Sequence, residues 1–276
     1  MAVCSILTQV QATPKGTSRL YFAAELAKSL NAELTGVGVQ AFSPYIASTG
    51  AFGYVDAGAI QAIRDEIDRE ISEAKALFHS TTAEKGVRGE WRQAVDDPVE
   101  VMSRLSRSAD LIIATQRSST DGAAATAEPG DLLVSSGRPV LVVPTEPKPL
   151  VMGTALLAWK DGREARRALS STLSFLQQFK SVVVCEVCRP DSMEDAQLRT
   201  SEIVNYLKTH GVEARARATQ IGHGRVSAQL VDIAKLEGAD LIVAGAYAHP
   251  RIREWVFGGV TQDLLEGSPL PCLLSH

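Results

Sequence analysis

At 276 residues, 45% apolar and 22% charged, the chain has the make-up of a soluble globular protein with room for two domains. The formal charge is −4, with 14 basic against 18 acidic residues in 1–150 and 14 against 14 in 151–276, so no basic field makes nucleic acid a default partner. The start MAVCSILTQV lacks the charged region and apolar core of a signal peptide, no apolar run nears the ~20 residues that span a bilayer, and four cysteines form no disulfide framework; a cytoplasmic protein without membrane contact is expected.

In chain order, SILTQV reads as a short apolar strand followed by a helix. Gln40–Ala57 then forms a long insert of small and aromatic residues (Phe42, Tyr45, Phe52, Tyr54), a length that marks function or an interface. Ile60, Ile63, Ile67, Ile71, Ala74 and Phe78 share one face of a long helix. Asp96-Asp97 before Pro98 caps the start of another helix. ADLIIAT (Ala109–Thr115) is a buried strand, followed by the Ala/Ser/Thr-rich loop Gln116–Glu128, a helix near Asp131 and the proline-led strand Arg138–Val143. Thr145-Glu146-Pro147-Lys148-Pro149 is an extended linker.

Beyond the linker the pattern begins again. ADLIVAG (Ala239–Gly245) repeats ADLIIAT at five of seven positions, and TALLAW answers SILTQV. The expected strands lie near 154–159, 181–187, 212–218, 240–245 and 270–274, and the helices near 163–179, 193–210, 225–237 and 259–267. The expectation is two tandem domains, 1–146 and 151–276, each a five-stranded, parallel, doubly wound α/β sheet with right-handed crossovers. Ligands of such sheets bind beyond the carboxyl ends of the strands where strand order reverses. In the second repeat that brings Ala158–Gly162 to face Gly245–Thr261. Gly245 is read there as a glycine that takes positive φ and brings backbone close to a ligand. His249, Arg251 and Arg253 make the loop basic, and Gly258-Gly259, Val260 and Thr261 open a helix whose N–H groups suit phosphate oxygens.

These residues resemble a tandem universal stress protein, a family of Rossmann-like, adenine-nucleotide alpha-hydrolase-like fold, and the resemblance covers nearly the whole chain. Repeat two is the nearer match, through AWKDGREARRAL and GAYAHPRIREWVFGGVTQDLL. Nucleotide-binding members carry Gly, two residues, Gly, nine residues, Gly, then Ser or Thr. Here Gly245 and Gly258 fill the first and third glycines, Ala248 stands at the second, and Gly259 stands where the hydroxyl belongs, with Thr261 as its partial substitute. The acid that follows strand one in the family is Lys160 here, with Asp161 next, and Trp159 beside them offers a ring for stacking on a base. The resemblance thus implies a nucleotide site of Trp159, Lys160, Asp161, Gly245, Ala248, His249, Gly258, Gly259, Val260 and Thr261, taking ATP or AMP, with no required cofactor. Repeat one has Thr115 at the first glycine and Gln9-Val10-Gln11 after strand one, and reads as a structural half without a phosphate cradle. The resemblance also implies pairing through the last strands, within the chain as a pseudo-dimer or between chains as a homodimer.

Other candidates have plainer readings. Cys185 and Cys188 have CxxC spacing, but three residues apart in a strand they face opposite sides, and they are read as structural thiols. Cys4 and Cys272 are read as core. His223, between Gly222 and Gly224, is read first as a solvated turn. No GxSxG, GxxxxGK[ST] or HExxH occurs, so the chain is read as a non-enzymatic stress-adaptation protein. The rival readings are an interaction scaffold using the 40–57 insert and a slow ATP hydrolase.

Overall fold

A computed structural model describes residues 3–42, 57–117, 126–246 and 259–276. Most of the 40–57 insert, and Ala248, His249, Arg251, Arg253 and Gly258, lie outside the described residues.

The first half runs β1 (Ser5–Gln9), α1 (Pro14–Leu30), β2 (Glu33–Gln40), α2 (Ala57–Lys85), β3 (Gly89–Val95), α3 (Pro98–Leu105), β4 (Leu111–Thr115), α4 (Pro129–Ser135) and β5 (Val140–Val143). The second repeats it as β6 (Thr154–Ala158), α5 (Arg163–Leu176), β7 (Ser181–Cys188), α6 (Met193–Thr209), β8 (Ala214–Gln220), α7 (Val226–Leu236), β9 (Ala239–Gly245), α8 (Gly259–Gly267) and β10 (Cys272–Ser275). Local chemistry sets several of these ends. Thr13 caps α1 by accepting from the Gly16 N–H at 3.1 Å, ahead of Pro14 in the first turn. Asp97 does the same for α3, accepting from Glu100 N–H at 3.0 Å.

The architecture differs from two separate five-stranded sheets in one respect. The ten strands form a single sheet in the order β3-β2-β1-β4-β5-β10-β9-β6-β7-β8. Every described pairing is parallel except the central one, where β5 and β10 run antiparallel with Leu273 opposite Leu141. The reason is burial. Helices cover both faces, so β4, β5 and β10 are buried at every position, and an edge of such apolar strands is stable only when paired. The outer strands β3 and β8 instead carry exposed polar residues such as Arg92, Gln93 and Arg215.

Two apolar layers result. One packs α1, α2, α5 and α6 on the sheet through Leu20, Phe78, Leu169 and Leu207. The other packs α3, α4, α7 and α8 through Met102, Leu132, Ile233 and Leu264. No helix among the described residues is long and apolar enough to cross a membrane.

The repeated Ala-Asp-Leu-Ile has a structural reason. Asp240 accepts from the N–H groups of Gly153 (2.8 Å) and Thr154 (3.2 Å), clamping the start of β6. Asp110 does the same for Cys4 (2.8 Å) and Ser5 (3.1 Å) at β1. Charged acceptors of two N–H groups are stronger than neutral ones, and Asp240 is half-buried while Asp110 is exposed. Asp240→Ala is therefore expected to cost roughly 1.5–3 kcal/mol, and Asp110→Ala less because water replaces its contacts; urea midpoints of the two variants check the ranking.

At the far edge, Glu237 after α7 accepts from Arg215 (2.5 Å) and Arg217 of β8. Arg215 first, then Arg217, holds its carboxyl below the usual carboxylate range against the opposing effect of burial. A depressed folded pKa contributes stability above the unfolded value, near 4.3, which is lost as pH falls through the folded value. Stability is thus expected to drop below about pH 4.3, and Glu237→Gln to shrink that drop; chemical denaturation from pH 7 to pH 3 reads it.

Candidate functional site: the two strand-order reversals

Each half has strands one and four side by side, β1 with β4 and β6 with β9, where the order reverses. Ala158 of β6 lies opposite Ala244 of β9, so the expected loop Ala158–Gly162 starts beside Gly245–Ala246, the described start of the expected segment Gly245–Thr261, of which residues 247–258 lie outside the described residues.

Trp159 follows β6 directly, its N–H donating to the Cys185 carbonyl at 2.7 Å. It is 5% exposed and belongs to the apolar layer under α5, so its ring serves the core and is not laid open for stacking. Its indole Nε1 has no hydrogen-bond partner among the described residues. Lys160 and Asp161 are exposed, and Asp161 is held by Arg166 Nη2 at 3.0 and 3.1 Å. Gly162 precedes α5 in extended backbone with no side-chain cap.

Gly245 corrects the sequence reading. It has no positive φ, and what approaches it is the first turn of α5. A Cβ built there would sit 2.7 Å from the Glu164 carbonyl carbon and 2.8 Å from Ala165 N. The glycine is required for helix–strand contact, a constraint that the spacing of a phosphate motif does not reveal. Gly259 begins α8, with open space where a Cβ would lie. Val260 is half-buried and Thr261 buried. The same short helix is pinned to α7, because Asp263 accepts from Arg225 (2.5 Å) and from the Ser227 hydroxyl.

Two residues near this point were missed in the sequence. Glu164, 7% exposed on the first turn of α5, accepts from Arg163 Nε at 3.1 Å. Its own backbone N–H, then Arg163, holds its carboxyl below the usual range, with His276 adding to the effect, against the opposing push of burial. His276 lies with Nδ1 3.2 Å from the Ala246 carbonyl. The signal for Glu164 was an acid set among Arg163, Arg166 and Arg167; His276 had none.

The first half fills its reversal differently. Arg19, 2% exposed on α1, reaches over the ends of β1 and β4. Its Nε (3.1 Å) and Nη2 (2.9 Å) donate to the Gln9 carbonyl, Nη1 donates to Thr115 Oγ1 (3.1 Å), and Nη2 also donates to Gln11 Oε1 (3.0 Å). Gln9 and Gln11 in turn hold the returning chain: Gln9 Oε1 accepts from Ala127 N–H at 2.9 Å and Gln11 Nε2 donates to Thr126 Oγ1 at 3.1 Å. By position along their helices and strands, Arg19, Gln9 and Thr115 correspond to Ala168, Ala158 and Gly245. The plug is built from the first half's departures from the second.

Of the remaining candidates, Cys185 lies in the layer of α7 and α8, with burial pushing its thiol up to about 11. Cys188 faces the other side and its Sγ lies 3.6 Å from the Thr219 carbonyl. Cys272 is fully buried and its thiol is pushed up to about 12 by burial. Cys4 overturns the core reading: it precedes β1 and is exposed, because the Asp110 clamp holds the chain at the amino end of the sheet, outside the helix layers. His223 is exposed in the β8–α7 turn.

Residues 152–276 match the model of the universal stress protein family. No curated protein matches the chain significantly. Among solved structures, a universal stress protein from Archaeoglobus fulgidus DSM 4304 is similar over 98% of this chain and 97% of its own, with TM-score 0.72 at 15% identity. A functionally unknown protein from Pseudomonas aeruginosa PAO1 is similar over 99% and 92%, with TM-score 0.59 at 18% identity. At these identities the likeness is one of fold.

Proposed function

We propose, from the match of residues 152–276 to the universal stress protein family model, that the chain is a non-enzymatic, cytoplasmic, two-domain stress-adaptation protein binding one adenine nucleotide, ATP or AMP, at the carboxyl ends of β6 and β9. The division into domains 1–146 and 151–276 about the linker Thr145–Pro149 belongs to the same proposal. One observation carries the stoichiometry. Where the first half crosses its strand ends with the Arg19 guanidinium, the second half has Ala158, Ala168 and Gly245, none of which extends beyond a Cβ. In this reading Lys160 meets the phosphates from the β6–α5 loop, and the N–H groups at the start of α8 donate to phosphate oxygens at the helix's positive end.

Isothermal titration with ATP and with AMP tests it, the expected result being one site per chain. Lys160→Ala is expected to weaken ATP about fivefold, the loss of one exposed charge-assisted contact worth about 1 kcal/mol, and to weaken AMP less. No heat and no thermal shift at millimolar nucleotide would overturn the nucleotide reading. Steady phosphate release from ATP would overturn the non-enzymatic one.

A further inference from the structure

The Arg19 plug closes the end of the first half's reversal but leaves space beside it. A cleft of about 270 Å³ lies at the carboxyl ends of β1 and β2, beneath the middle of α2. This is near the lower end of small-molecule sites, at roughly 300 Å³. Val10 and Gly38 form part of its floor, and Ile71 of α2 part of its roof. Gly38 makes room for the Trp91 ring: a Cβ there would sit 2.5 Å from it. Gln11 is the inner wall, and both ends of its amide are engaged, with Arg19 and with Thr126.

The charge at the mouth selects the ligand. Arg69, Glu70 and Glu73 of α2 line the opening. Arg69 is already committed to two carboxylates, bonding Glu66 and Glu73. Glu70 is half-buried and makes no ion pair among the described residues. An anion entering here meets an unneutralised carboxylate and no available guanidinium, while a cation meets Glu70 in a partly desolvated setting where the attraction is strengthened. We propose that this cleft binds a small organic amine, its ammonium at Glu70 and its apolar body against Val10, Gly38 and Ile71. The site is independent of the nucleotide reading for the second half, since it shares no residue with it.

The probes are tryptamine and indole-3-acetate, one ring carrying opposite charges, titrated calorimetrically into the full chain with thermal shift in parallel. Tryptamine is expected to bind at least tenfold more tightly than indole-3-acetate. Glu70→Gln is expected to reduce tryptamine affinity about tenfold, and Ala12→Phe, which fills the mouth from an exposed position, to abolish it. Glu202→Gln on the exposed side of α6 should leave binding unchanged, excluding general attraction to an acidic protein. The proposal is overturned by no binding of tryptamine, by equal affinity for the two probes, or by wild-type affinity in both cleft variants.

Discussion

Gly245→Val should destabilise the protein by about 3 kcal/mol or more, the upper end of what inserting methyl groups into a packed interior costs. The reason lies in what the new side chain meets. A Cβ at 245 falls 2.7 Å from one backbone atom of Glu164 and 2.8 Å from a backbone atom of Ala165, and a helix backbone cannot turn aside as a side-chain tip does. Either α5 lifts from β9 or the end of β9 bends. Both displace the first turn of α5, which carries Glu164 and Arg163. Gly245→Ala should show the same effect at smaller size. Guanidinium denaturation reads the stability, with an unchanged slope showing that the unfolded state is unaltered. Wild-type stability in Gly245→Val would mean that α5 does not contact the strand as described. Since the same glycine borders the proposed nucleotide site, the valine variant should also lose nucleotide heat, whereas a variant that merely unfolded part of the population would lose amplitude and keep its affinity.

Arg19→Met should cost roughly 3 kcal/mol, although it keeps most of the buried volume. The guanidinium supplies two donors to the Gln9 carbonyl and one each to Thr115 and Gln11. Methionine leaves the Gln9 carbonyl facing the interior without them, and an unmatched buried acceptor costs about 1–3 kcal/mol by itself. Lysine should rescue only part of the loss, because a single ammonium cannot reproduce a planar fork bonded in three directions. Urea midpoints for the wild type, Arg19→Lys and Arg19→Met should fall in that order. Equal stability of all three would show that the plug has no structural value. Nucleotide heat in the second half should survive in both variants, which separates the roles of the halves.

Taken together, the two reversals show how one repeated fold fills the ends of its first and fourth strands in two different ways. In the first half a long basic side chain from α1 holds strand ends and the returning chain together, and the usable space moves sideways to the cleft under α2. In the second half alanines and a glycine bring α5 down onto β9, with the exposed Lys160 in the loop after β6. The difference amounts to a few substitutions at matching positions. Their consequences oppose each other because a guanidinium needs partners around it and a glycine needs backbone against it.

The sequence by itself determined the repeat and the strand–helix alternation, while the strand order came from the structure. Runs such as Leu111–Thr115 and Leu241–Ala244 are apolar at successive positions, which suits only a strand buried on both faces, and local periodicity carries that information. It also marked the helix start at Pro98, since capping by Asp97 involves a residue only three positions on. What only the tertiary structure decided depends on contacts across the chain. The union of the halves into one sheet rests on Leu141 meeting Leu273, and neither strand's composition specifies which edge it joins. The Asp110 and Asp240 clamps join residues that are 105 or 106 positions apart and 86 or 87 positions apart. The role of Gly245 was misread because a glycine records only that something comes close; whether a ligand or a helix backbone is decided by where α5 lands. Arg19 looked like an ordinary polar position on α1, and its burial follows from Gln9, Gln11 and Thr115 converging beneath it, an arrangement of three separate segments that no local pattern encodes.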